Sequence, residues 1–370
     1  ARRAAVHRPA IDGPRRRRPA RWDRFSLDTP STDRGPTVTA PIADITTYQV
    51  ERALFIDEAR SAGGELSAHL HPMVGPDRLA LATDVARFGA PIGRADSVVM
   101  VSSGLHGVEG HAGHGLQRQL LASGRLGSLP TGMAVVIVHG VNPYGWAWSR
   151  RVDHENVDVN RNFVDYDDLP TNPLYSELDA VLNPSTVELD PSSSSFLDEI
   201  MGFWSRVGDH TAMKTLNGGQ YQFPRGVQYG GDHMTWSRRT LEAVWEEQLV
   251  GADAAVALDI HTGLGPTGRL TVFQTADEDE PAAALGADWY PEHLYRADRS
   301  EADPIDHGLM GPGLDAWAAD RRESMRTAAF VLEFGGLDIA HGVTAFRADN
   351  WLAHHGDRNS DTGQQIRQLM

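Results

Sequence analysis

Short apolar runs alternate along the chain with segments in which apolar residues recur every three or four positions. The runs predict buried strands at Ala95–Ser102, Met133–His139, Ala254–Ile260, Leu270–Phe273 and Thr327–Glu333. The helical spacing predicts helices at Tyr48–Ala62, Leu116–Leu121, Thr235–Gln248 and Gly311–Arg321. Two alternating stretches, Leu66–Pro72 and Leu79–Val85, predict a hairpin. Strands that alternate with helices in one continuous series predict a single α/β domain.

Four of these strands end in polar residues. His106 and Glu109 follow the first strand, Asn142 follows the second, His261 follows the third, and Glu333 ends the last. In open α/β sheets, the functional residues lie in the loops at the carboxyl ends of the strands. We therefore expect these residues to meet at one edge of the sheet.

The first of these loops contains an imidazole and a carboxylate three positions apart. With a distant histidine, they predict a His₂Glu zinc site that keeps its fourth position open. The chain has no cysteine, so any metal must be held by His, Asp or Glu. Glycines at positions 104, 107 and 110 argue against a helix here, and we expect a non-helical loop to carry both ligands.

The segment after the second strand carries a more specific pattern. It reads Asn142-Pro143-Tyr144-Gly145, then Arg150-Arg151, then Asp158-Val159-Asn160-Arg161-Asn162-Phe163. Downstream of His-x-x-Glu, this order of motifs resembles the zinc carboxypeptidase superfamily. That superfamily also includes the aspartoacylase and succinylglutamate desuccinylase deacylases, and residues 45–95 indicate an uncharacterised bacterial branch. The resemblance implies a three-layer α/β/α fold with a mixed, mostly parallel central sheet.

The resemblance implies a metal site and a base. His106, Glu109 and His261 would bind one zinc ion, which lowers the pKa of a water molecule to about 7 and polarises the substrate carbonyl. Glu333 would be the general base and then the acid for the leaving amine. A carboxylate on an apolar strand is costly to bury without a partner, and this also favours a functional Glu333.

The resemblance also assigns roles to four residues around the metal. Arg151, rather than Arg150, would stabilise the oxyanion. Asn160 and Arg161 would bind the substrate carboxylate, the latter by a two-pronged guanidinium contact. Asp158 would accept a hydrogen bond from the far ring nitrogen of the first histidine ligand. Each has an alternative, because the arginines could be solvated or paired at the surface and the aspartate could be a turn residue.

The chain departs from the digestive carboxypeptidases between its metal ligands. The interval before His261 is longer, and residues 165–235 are expected to form an insertion within a single catalytic domain, 42–370. Residues 1–41 combine many arginines and prolines without periodicity, and we expect them to form a disordered extension.

Charge and hydropathy limit the partners. The formal net charge of −16 argues against a nucleic-acid partner for the body of the chain. No stretch approaches the roughly 20 apolar residues of a membrane span. The absence of cysteine fits a cytoplasmic protein, which we expect. The resemblance implies a peptide or small-molecule partner with a free carboxylate, and the oligomeric state stays open.

The sequence thus predicts a zinc-dependent hydrolase of an amide bond next to a free carboxylate, with a carboxypeptidase-type peptidase favoured slightly over an N-acyl amino acid deacylase. Two other classes stay open. A serine hydrolase could use Ser102 or Ser103 after the first strand, although the chain has no Gly-x-Ser-x-Gly motif. A non-catalytic binding module could keep the fold without the reaction.

Overall fold

The predicted strands and helices are present in the computed structural model, which describes residues 47–190, 195–263, 265–274, 281–295, 307–322, 324–336 and 339–370. The predicted extension at 1–41 lies outside the described residues. The described strands are β1 (Glu65–Val74), β2 (Ala80–Gly89), β3 (Ser97–Ser103), β4 (Met133–His139), β5 (Ala254–Gly263), β6 (Leu270–Gln274), β7 (Leu294–Tyr295) and β8 (Arg326–Gly335).

The described α-helices lie before, between and after these strands. They are α1 (Tyr48–Ser61), α2 (Gly110–Ala122), α3 (Pro143–Ala147), α4 (Tyr175–Leu182), α5 (Ser195–Val207), α6 (Asp209–Asn217), α7 (Trp236–Gln248), α8 (Pro281–Trp289), α9 (Met310–Arg321), α10 (Ile339–His354) and α11 (Asp361–Leu369). None of the helices within the described ranges is both long and apolar enough to cross a bilayer.

The strands form one eight-stranded mixed sheet in the order β1-β2-β4-β3-β5-β8-β6-β7. Its centre is parallel, because β3 pairs in parallel with β4 and β5, and β5 pairs in parallel with β8. The predicted hairpin is the antiparallel pair β1–β2. Every residue of β4 is buried, as expected for a parallel strand covered on both faces. The predicted α/β class with a mixed, mostly parallel sheet is confirmed.

Helices cover both faces of the sheet. On one face, Val98 and Met100 of β3 share an apolar core with Trp245 of α7 and Trp317 of α9. The alternate residues of β3 and β4 point to the opposite face, where α2 contributes Gln117. Its amide donates to the carbonyl oxygens of residues 101 and 138, at 3.1 Å each. The predicted three layers follow from this arrangement.

The segment expected to be an insertion, residues 165–235, contains α4, α5 and α6. Their apolar faces pack together in a small core of their own, separate from the core of the sheet. After α6, the chain comes back against the segment that follows the Arg150-Arg151 pair, where the Asp158 amide donates to the Tyr229 carbonyl at 2.7 Å. The description of this segment as an insertion stays a prediction.

The loop after β3 is more helical than the glycines predict. His106 has an extended backbone, a 3₁₀ turn spans Gly107–Glu109, and α2 begins at Gly110. The glycines serve close packing instead. A Cβ on Gly107 would lie 2.2 Å from the Gly145 carbonyl carbon, so the two chain segments touch backbone to backbone.

The same contact explains the Asn-Pro-x-Gly motif. The Asn142 side chain accepts a hydrogen bond from the Gly145 amide at 2.9 Å and so caps α3. The residue at position 145, two positions after Pro143, must stay small. The backbone amides of Gly107 and Val108 donate to the carbonyl oxygens of residues 151 and 150. These bonds bring the Arg150-Arg151 segment against the His106 loop.

We expect Gly107→Ala to lower the free energy of unfolding by roughly 3 kcal/mol, because the methyl group would overlap backbone that cannot rotate away. Gly115→Ala is the matched control. It lies on α2, the helix that follows the Gly107 turn, in open space, and the change should raise stability by about 0.5–1 kcal/mol. Denaturant unfolding of the two variants measures both effects, and equal stabilities would contradict the proposed close approach.

Candidate metal centre

Three side chains predicted as metal ligands converge at the carboxyl edge of the sheet. His106 Nδ1 lies 2.9 Å from Glu109 Oε1, and His261 Nδ1 lies 3.1 Å from Glu109 Oε2. The two Nδ1 atoms are 3.2 Å apart. All three side chains are buried. The structure therefore brings together a compact His₂Glu group from two distant parts of the chain.

A buried aspartate lies beside the far nitrogen of each imidazole. His106 Nε2 lies 3.2 Å from Asp158 Oδ1, and His261 Nε2 lies 2.6 Å from Asp259 Oδ2. Such a carboxylate fixes the tautomer and the ring orientation of a metal-binding histidine. Both rings consequently turn their Nδ1 atoms toward the same point beside Glu109.

The charges of this group depend on one another. Burial opposes ionisation of Glu109, but the neighbouring His106 and His261 hold the pKa of its carboxyl below the usual range. Burial likewise opposes protonation of His261, but the Asp259 charge and Glu109 outweigh it and hold the pKa of the imidazole well above its ordinary value. A positive charge is thus stabilised at this point.

The donor set suits a divalent metal ion. With their Nε2 atoms facing aspartates, the two histidines turn their Nδ1 atoms toward each other and toward a carboxylate, an arrangement that a cation between them would satisfy. Ligands roughly 2.0–2.2 Å from a tetrahedral ion lie about 3.3 Å apart, close to the separations found here. Three protein ligands leave the fourth position for water or substrate.

Arg151 reaches this group and Arg150 does not. The Arg151 guanidinium lies 3.0 Å from His106 Nδ1 and pairs with Asp158 Oδ2 at 3.0 Å. The Arg150 side chain turns away to Asp349, which it contacts at 3.2 Å. Burial opposes ionisation of Asp158, but Arg151 and His106 hold the pKa of its carboxyl well below the usual range.

Glu333 lies on the strand beside one ligand. It is a register partner of His261 in the parallel β5–β8 pair, so both side chains project from the same face. Its carboxylate is buried and lies close to Gly263, where a Cβ would be 3.6 Å from Glu333 Oε1. A carboxylate therefore lies on the strand next to the candidate ligand His261.

The two residues predicted to bind a carboxylate are buried beside Asp158. The Asn160 amide donates to Asp158 Oδ1, and the Asn160 side-chain oxygen accepts from the Met310 amide, each at 2.9 Å. The Arg161 guanidinium donates to the backbone carbonyl oxygens of Asn217 at 2.8 Å and Asn160 at 2.7 Å. Arg161 is thus fixed in place by backbone contacts that its sequence context does not reveal.

The sequence analysis missed Asp259 and its partner. Asp259 is 1% exposed, and Ser102 Oγ donates to its Oδ1 at 2.6 Å across the β3–β5 pair. The available signal was an aspartate two residues before His261 on an apolar strand, which places both side chains on one face. Ser102 is thereby explained as a support for this aspartate.

We expect Asp259→Asn to weaken zinc binding by about 10–100-fold, because the amide no longer offers a charged acceptor to the His261 ring. Asp84→Asn is the matched control, since Asp84 is also a buried strand aspartate but pairs with Arg52. Competition with a chromogenic chelator measures the affinity of each variant. Equal affinity in Asp259→Asn and the unaltered chain would contradict the orienting role.

Several solved structures are similar to the chain. They include carboxypeptidase A from Helicoverpa armigera (12% identity, 87% of this chain and 73% of that chain covered, TM-score 0.42) and bovine thrombin-activatable fibrinolysis inhibitor (9%, 88% and 99%, 0.45). Succinylglutamate desuccinylase from Chromobacterium violaceum is another (13%, 83% and 74%, 0.37). No curated protein sequence matches the chain. A family model described as "Protein of unknown function (DUF2817)" matches residues 45–370, and the chain belongs to this family.

Proposed function

We propose that the chain is a zinc-dependent hydrolase that cleaves an amide bond next to a free carboxylate, as a metallocarboxypeptidase-type peptidase. One observation carries the proposal. Two imidazole Nδ1 atoms and the Glu109 carboxylate converge within 3.2 Å of one another, with the far ring nitrogens held by Asp158 and Asp259. Nitrogen and carboxylate donors of this kind, with an open position, are those of catalytic zinc sites.

His106, Glu109 and His261 would hold the zinc ion. When bound there, zinc supplies Lewis acidity, which polarises a carbonyl and lowers the pKa of a water molecule to about 7. The aspartates behind the two histidines keep the ligand nitrogens in place without rearrangement.

Glu333 is the candidate base. A carboxylate beside the metal ligands can remove a proton from the attacking water and return it to the nitrogen of the leaving amine. Arg151 is the candidate oxyanion stabiliser, because its guanidinium already lies at the ligand group, 3.4 Å from Glu109 Oε1. A fixed cation at that place favours the negative charge that develops on the carbonyl oxygen of the substrate.

Arg161 and Asn160 are the candidate carboxylate binders. They lie two and three residues after Asp158, and the Asn160 backbone amide is bonded to this aspartate, which lies beside His106. A guanidinium has five N–H groups, and the two carbonyl contacts of Arg161 fix its plane for a two-pronged contact with a carboxylate. This arrangement supports a substrate that carries a free carboxylate.

The serine hydrolase alternative finds no support at the two candidate serines. Ser102 Oγ donates to Asp259, and Ser103 Oγ donates to Gln117 Oε1 at 3.1 Å. Both are buried, and each hydroxyl is committed to a structural acceptor rather than to a histidine base.

A hydrolysis screen tests the proposal. We expect the zinc-loaded chain to cleave peptides or N-acyl amino acids with a free carboxylate about 100-fold more efficiently, in kcat/KM, than the same compounds as amides. A chelator should abolish the activity and a serine-directed phosphonate should leave it intact. Cleavage of N-acyl amino acids alone would indicate the deacylase, and equal rates on acids and amides would contradict carboxylate recognition.

Arg161→Ala provides the matched variant for this screen. Loss of the charged contact should reduce the preference for acids over amides to near unity, with most of the effect on the acids. Arg150→Lys, which changes an arginine paired with Asp349, should leave the preference unchanged.

We expect Glu333→Gln to keep its zinc but to lose about 10²–10⁴-fold in kcat, because glutamine has the shape of glutamate without its basicity. Zinc content and turnover, measured on the same sample, separate metal binding from proton transfer. Glu58→Gln serves as the control and should keep full turnover. It alters a glutamate of α1 that pairs with Arg118 of α2. Near-normal turnover in Glu333→Gln would remove this residue from the mechanism.

A further inference from the structure

A second group of metal-binding side chains lies outside the candidate metal centre. Asp153, His154 and Glu155 each offer a donor atom, and these three atoms lie within 4.8 Å of one another. A fourth donor comes from a different segment, because His233 Nε2 lies 3.3 Å from Glu155 Oε1. His233 is not one of the three mutually close residues, so its ring would turn toward the ion on binding. We propose that these four residues, the second centre, bind a divalent transition-metal ion of the zinc type.

Only one of the two carboxylate oxygens of Asp153 is used by the local turn. Asp153 is 1% exposed, and its Oδ1 accepts hydrogen bonds from the amides of Glu155 and Val157, at 2.9 Å each. These two bonds account for the turn at 153–157. Its Oδ2 is also buried and has no hydrogen-bond partner within the described part of the chain. An ion or a water molecule beside this buried oxygen would satisfy it.

The two histidines present nitrogen atoms to the same carboxylate. His154 Nε2 lies 3.8 Å from Glu155 Oε2, while His233 Nε2 approaches the other oxygen. His233 Nδ1 pairs with Asp232 Oδ1 at 2.6 Å. An aspartate behind a histidine is the arrangement that also orients both ligands of the candidate metal centre, and it aims the other nitrogen at Glu155.

The surroundings hold His154 in position. Its ring packs edge-on against His71, with ring centroids 5.0 Å apart, and lies 5.6 Å from the ring of Tyr144. Glu155 and His233 are exposed at the other side, so an ion can enter from solvent. Two imidazoles and two carboxylates form an N₂O₂ donor set, which favours zinc-type ions over magnesium or calcium.

The second centre would stabilise the segment that carries the reaction. Only four residues separate Asp153 from Asp158, which orients His106 and precedes Asn160 and Arg161. His233 lies in the same segment as Tyr229, whose carbonyl oxygen accepts a hydrogen bond from the Asp158 amide. An ion bound by both segments would join them.

Zinc stoichiometry of the full chain tests the second centre. After removal of metal, reloading and dialysis, elemental analysis should find about two zinc ions in the unaltered chain and about one in His154→Ala. His106→Ala, which disables the other centre, should also hold about one. His355→Ala, an exposed histidine elsewhere, should hold two. The count in His106→Ala makes the result independent of the proposed hydrolase.

Thermal unfolding gives a second readout. Added zinc should raise the melting temperature of His106→Ala, and this shift should disappear when His154→Ala is added. Glu155→Gln, at an exposed position, should give the same loss and guards against a folding defect of His154→Ala. Two zinc ions in His154→Ala and Glu155→Gln, or none in His106→Ala, would overturn the second centre.

Discussion

The candidate metal centre depends on the balance of charge between three buried carboxylates and the two imidazoles that they surround. Glu109, Asp158 and Asp259 are removed from water at one edge of the sheet, and burying such charges is costly unless opposite charges accompany them. Arg151 offsets one of them through its contact with Asp158. A divalent ion between the histidines would offset the other two, so the charge of the group as well as its geometry favours a metal.

The fold positions these charged side chains at the ends of strands and through one close contact between loops. The parallel centre of the sheet places His261 and Glu333 side by side, because β5 and β8 are paired in register. The other ligands come from the loop after β3, which is held against the Arg150-Arg151 segment by the approach of Gly107 to Gly145. The motif glycines thus act on function by letting two backbones touch.

The sequence predicts those parts of this arrangement that depend on local pattern. The apolar run at Met133–His139 is the strand β4 without change, because a strand buried on both faces is apolar throughout. Asp259 was missed, since its role depends on contacts of both its oxygens in the folded chain, with the His261 ring and with Ser102 on a neighbouring strand. The contacts of Arg161 with the Asn217 carbonyl likewise depend on a segment 56 residues away, whose position only the folded chain defines.

The segment from Asp153 to Arg161 connects the two groups of potential metal ligands. Its first part is a tight turn in which Asn156 has a positive φ of 63°, and such strain persists only when surrounding contacts hold it. Its second part must keep Asp158 fixed behind His106, since an imidazole that loses its partner loses its orientation. Both parts contact the segment around Tyr229–His233, so an ion at the second centre would reinforce the orientation of His106 without touching it.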